Sequence, residues 1–264
     1  MLMTVSVIVV AFLVLLFAVE VFRRSDMLTL AVFFVLPVVL LPWLVLSHAD
    51  FGWFLWLKNY SVEGLICLFV VCRLTPINKT KWLFSLIWLM VMFNIVEAAV
   101  YDALSGNHLL IINAVTALML LLTLPGPEAM SIDKNSKCRD FLWDIPYTWI
   151  LTYTLWNWVF FYGHWAGFGA RIQIAVLGAA LVIALFNNKR WAQARALTLG
   201  IFVIATFFWD ANAMAADVSS WYDRDIYLFS ALLACCCGGY LVVMRFKSRM
   251  AKPRPHSSAV RLLK

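Results

Sequence analysis

WLFSLIWLMVMFNIVEAAVYDAL, residues 82–104, is apolar almost throughout, yet carries Asn94, Glu97 and Asp102 in its second half. Its length decides the fold. About 20 apolar residues, each rising about 1.5 Å along a helix, cross the roughly 30 Å of hydrocarbon in a bilayer.

Outward from this run the pattern repeats. Hydrophobic residues make up 64% of the chain, aromatics 16% and charged residues only 13%, a balance that no soluble domain of this size needs. The expected class is all-α, a polytopic transmembrane helix bundle of about nine spans. They fall at about 4–22, 27–47, 57–74, 82–104, 108–124, 145–164, 171–188, 196–216 and 227–244. FGWFLWLKNY (51–60) reads as an interfacial aromatic belt ahead of the third span, and eight spans are the alternative count. The runs are too long, and lack the alternation, for an outer-membrane barrel.

Orientation follows from Lys and Arg, which are retained on the cytoplasmic side of a membrane. With nine spans, all of the 21 basic residues except Lys58, Arg171 and Arg224 fall on one set of loops and the C-terminal tail. The N-terminus is therefore expected outside and the C-terminus inside. This segregation accounts for the net charge of +7 without nucleic acid. Residues 1–244 are expected to form the bundle, and 245–264 a basic cytoplasmic tail near anionic lipid headgroups. The first run lacks a basic n-region, so it reads as a retained helix rather than a signal peptide.

Several chemistries have no residues to carry them. A retinal Schiff base needs a lysine deep in a helix, and none is read there. The histidines His48, His108, His164 and His256 fall at outer ends or in the tail, so paired haem ligands within the bundle are excluded. A phosphate-cradling glycine loop is missing too. In CCCGG (235–239) three consecutive helical cysteines point about 100° apart and cannot converge on one ion, so close helix packing is the better reading. No cofactor and no metal centre are expected.

The intramembrane groups are instead acids and amides. At about 1.5 Å per residue, Glu97, Asp210, Asn94 and Asn157 lie roughly 18–22 Å above the inner boundary, and Glu63 reaches nearly the same level from the other side. Residues three, four and seven apart share a helix face. Asn94, Glu97 and Tyr101 then form one stripe; Tyr153, Asn157, Phe161 and His164 form a second; Thr206, Asp210 and Asp217 form a third. The expectation is an outward-opening polar cleft closed toward the cytoplasm by apolar residues.

An intramembrane carboxylate is costly unless it faces other helices, where it holds a proton or meets a cation. The leading functional expectation is a small transporter or channel for a cation or proton-coupled solute. Glu97 and Asp210 would be its central acids, with Glu63, Asn94, Asn157, Tyr101 and Tyr153 around them. The alternatives are a membrane-embedded enzyme acting on a lipid-linked substrate, or a non-catalytic partner subunit. Two local features complete the reading: Asp144 before Pro146 suits an N-cap carboxylate at the start of the sixth helix, and Pro37 and Pro42 predict a kink in the second.

The segments EVFRRSD (20–26), GWFLWLKNYS (52–61), NIVEAAVYD (94–102), NAVTALMLLLTL (113–124), LWDIPYTWILTYTLWNWVFFY (142–162) and RALTLGIF (195–202) together resemble a family of bacterial multi-pass inner-membrane proteins catalogued only as a domain of unknown function. The resemblance implies a bacterial inner-membrane location. It implies no activity.

Overall fold

The computed structural model describes residues 2–47, 52–76, 81–208 and 222–250. Asp210, Trp209 and Asp217 lie outside the described residues, as does the tail from 251 onward. Among the described residues there are nine helical rods: α1 (Leu2–Arg24), α2 (Asp26–Ser47), α3 (Trp53–Leu74), α4 (Lys81–Leu104), α5 (His108–Thr123), α6 (Tyr147–His164), α7 (Phe168–Phe186), α8 (Trp191–Phe207) and α9 (Arg224–Met250). Six of them, α1 to α4, α7 and α9, are long and apolar enough to cross a membrane. The helix α5 is apolar but shorter. The helices α6 and α8 belong to neither group: both carry indoles and amides, and α8 the guanidinium of Arg195.

The helix α8 stands at the centre. Most of its residues are buried, with α3, α7 and α1 packed around it. At Gly200 on α8 the side chains of Ile66 and Phe33 come so close that no Cβ would fit. The helix α9 lies on α5 and α6, where Gly238 sits against Met119 and Thr116, in keeping with close packing by the small residues of CCCGG. Phe17 and Leu46 on α1 and α2, and Phe229 on α9, are exposed, which suits a lipid-facing rim.

Pro37 marks a change of winding in α2, while Pro42 lies inside a continuous helix. Pro37 has no N–H to offer the carbonyl four residues earlier, that of Phe33, and the turns ahead of it widen into a π-helical segment over Ala31–Val35. Cys67 Sγ on α3 donates to the Phe33 carbonyl at 3.7 Å.

Four expectations are corrected. The segment read as an interfacial belt is helical from Trp53, so Lys58 stands in the second turn of α3 rather than outside a span. The eighth helix begins at Trp191, not 196, which brings Arg195 into its second turn. The last helix extends past 244 to Met250. Asp144 caps nothing: the N-cap of α6 is Pro146, without a side-chain cap, and Asp144 instead lies 3.8 Å from Lys189. In the first two cases a lone cation in an apolar run was read as marking the edge of a span, whereas inside a bundle it can turn inward to polar partners.

The connection between α5 and α6 holds the described sheet, an antiparallel pair of β1 (Met130–Ile132) and β2 (Phe141–Trp143). Strand alternation buries Met130, Ile132, Phe141 and Trp143 and leaves Ser131 outside. The hairpin is fixed to the bundle. Phe141 N donates to Gln193 Oε1 at 3.1 Å, Arg23 Nε to Asp140 Oδ1 at 2.8 Å, and Arg73 Nε to the Cys138 carbonyl at 3.0 Å. Arg73 also pairs with Asp26 at 3.0 Å.

Candidate functional site

A cavity of about 120 Å³ lies among α3, α4, α6 and α8. On this measure one water needs roughly 10–15 Å³, so the space holds several waters or one ring-sized solute. Its floor, on the hairpin side, is apolar: Leu124, Trp143, Ile145 and Phe69, all buried. Toward the far end it is walled by Phe54, Phe160 and Trp165.

Two polar clusters face this space from different walls. On α3 and α4, Lys58 Nζ donates to the Asn94 carbonyl and to Asn94 Oδ1, both at 2.9 Å, and meets Glu97 Oε2 at 3.3 Å. Ser61 Oγ reaches Asn94 Oδ1 at 3.4 Å. Spacing explains the cluster: Lys58 and Ser61 share a face of α3, and Asn94 and Glu97 share one of α4. On α6 and α8, Arg195 Nη2 donates to Asn157 Oδ1 at 2.8 Å, and the guanidinium carbon stands 6.0 Å from the centre of the Tyr153 ring. Arg195 is only 4% exposed, and its Nε and Nη1 have no hydrogen-bond partner.

The aromatic wall is pinned rather than loose. Trp149 Nε1 donates to the Leu120 carbonyl and Trp156 Nε1 to the Asn113 carbonyl, both at 3.1 Å. Trp149 packs edge-on to Trp191 with ring centres 5.7 Å apart. Trp149 and Trp156 thus satisfy their N–H groups on a neighbouring backbone, whereas the Nε1 atoms of Trp191 and Trp143 have no hydrogen-bond partner.

Of the residues singled out from sequence, Asn94, Asn157 and Tyr153 line the cavity. Glu97 stands behind the wall and reaches it through Lys58. Glu63, 3% exposed, is not among the lining residues, and its Oε1 has no hydrogen-bond partner. Tyr101 belongs to a second, shallower pocket with Trp53, Ser105 and His164, separated from the cavity by its stack on Phe54 at 4.2 Å. Asp210 is outside the described residues. Asp102, fully buried, accepts from Asn113 Nδ2 at 2.8 Å and pairs with His164 Nε2 at 2.9 Å.

Lys58 and Arg195 are the functional candidates that sequence reasoning missed, and with them the sign of the wall. Among the described residues no carboxylate lines the cavity. A signal for Arg195 was present: WAQARALTLG (191–200) is rich in Ala, Gln, Arg and Leu, all strong helix formers, and reads as helix from its first residue.

The chain is thus a predominantly helical bundle whose long apolar helices suit an integral membrane protein, with an aromatic, positively charged cavity inside. It belongs to the family described as "Family of unknown function (DUF5692)", which matches residues 1–260. No curated protein and no solved structure matches it.

Proposed function

We propose that the protein is a small solute transporter of the bacterial inner membrane, with nine spans, the N-terminus outside, and the cavity among α3, α4, α6 and α8 as its solute site. The observation that carries this reading is a pinned aromatic chamber with hydrogen-bonding groups on two facing clusters, Lys58 with Asn94 and Arg195 with Asn157. A bundle that needed only to pack would close such a space, since interiors reach crystal-like density. Solute sites are mostly apolar with a few convergent polar groups. The acids read from sequence enter indirectly: Glu97 holds the Lys58 ammonium, and Glu63 and Asp210 are left as candidates for carrying a proton.

The test is access to the cavity. Ala196 lines it and is small, so Ala196→Cys, in a chain whose native cysteines are replaced, is treated with a membrane-impermeant maleimide in right-side-out and inside-out vesicles. Transport requires labelling from both sides, because the site must open to each in turn. Labelling from one side or from neither overturns it.

A further inference from the structure

We infer that the solute bound in this cavity is an organic anion, with a carboxylate or phosphate head held by Arg195 and a flat ring body held among the indoles. This rests on the reading of the cavity as a solute site. The charges on its walls do not balance. Lys58 has Glu97 as a counter-ion, whereas the polar partners of Arg195 are the neutral side chains of Asn157 and Tyr153. Among the described residues no carboxylate is paired with it. A buried cation without a counter-charge is costly; Arg195 lines the space, and two of its nitrogens are buried without a hydrogen-bond partner. A planar guanidinium presents a fork that matches carboxylate and phosphate oxygens. An anion supplies both the missing charge and the missing acceptors.

The body of the solute follows from the rest of the wall. Trp149, Trp156, Trp165 and Trp191 line the chamber, and their faces suit a flat apolar group. An aromatic box can also cage an ammonium, but here two rings of the wall, Phe54 and Tyr153, already face Lys58 and Arg195, and a third positive charge would be repelled in a low-dielectric space.

The experiment uses the full chain in lipid nanodiscs and four ring compounds of similar size: benzoate, phenyl phosphate, benzamide and benzylammonium, with chloride and acetate as ringless anions. Binding is read by titration calorimetry. Benzoate or phenyl phosphate should bind saturably, and the neutral, cationic and ringless probes at least about tenfold more weakly, the scale of one charge-assisted contact. Arg195→Gln should weaken the ring anion by at least about tenfold, and Arg195→Lys should restore part of that loss. Circular dichroism and gel filtration confirm that each variant is folded. Binding of benzamide or benzylammonium in preference to benzoate overturns the anion assignment, as does unchanged binding by folded Arg195→Gln. Chloride or acetate binding as tightly as benzoate removes the ring body. If none of the probes binds while Ala196→Cys is labelled from both sides, the ligand class falls and the transport reading stands; if labelling fails too, both fall.

Discussion

Lys58 and Glu97 meet at 3.3 Å across α3 and α4, a lysine from a segment that reads as interfacial and a glutamate from the second half of a long apolar helix. The pair changes what Glu97 does: its carboxylate answers a charge already in the protein, so it is part of what holds two helices in register. Breaking a buried pair from one side costs roughly 3–5 kcal/mol, because the remaining charge is left without compensation.

Glu97→Gln should therefore destabilise the bundle by about 3 kcal/mol, and Lys58→Met in the same chain should return most of it. Denaturant unfolding of the single and double variants in one detergent checks this. Additive losses would show that the two residues are not coupled.

Asp102 is the acceptor for both Asn113 and His164. Asp102→Ala should cost about 2–4 kcal/mol, since it strands the buried Asn113 amide and the partly exposed His164 ring without their acceptor. Asp102→Asn keeps the shape and at least one acceptor, and should cost about half as much. Thermal unfolding of the two variants side by side gives the answer.

Three glycines should respond differently to one added methyl. At Gly200 a Cβ runs into Ile66 and Phe33, and at Gly163 into Tyr227 and Leu110; alanine there should lower stability by about 1–3 kcal/mol through overpacking. Gly239 has nothing within 4 Å of the same position, so Gly239→Ala should be neutral or gain up to about 1 kcal/mol from helix propensity. Melting temperatures of the three variants rank them.

Orientation is testable at a native residue. Cys138, partly exposed, lies in the hairpin connection, on the loop set that carries most of the basic residues. An impermeant maleimide should leave it unlabelled in intact cells and label it after permeabilisation. The reverse result would place the hairpin outside.

The legible part of the site was what helical spacing alone decides. Asn94 on α4 and Asn157 with Tyr153 on α6 could be assigned to faces because both helices are long, continuous and unambiguous. Lys58 and Arg195 were misplaced for a shared reason: each stands four or five residues after a helix start, where apolar periodicity is weakest and a cation reads as an edge. The Asp102–His164 contact joins residues 62 apart, and spacing along one helix carries no information about such a partner. The hairpin strands are three residues each, too short for a period-two pattern to stand out.

The hairpin has a mechanical consequence. Trp143 and Ile145 are at once the floor of the cavity and the end of a ribbon whose other residues are tied down by Asp140 to Arg23 and by the Cys138 carbonyl to Arg73. The floor therefore cannot drop as a few side chains swinging aside; it moves with its fastenings or not at all. If solute leaves on that side, one ion pair and one charge-assisted hydrogen bond outside the chamber must yield first. Asp140 and Arg73 are both buried, so salt screens these fastenings little, and ionic strength alone would not free the floor.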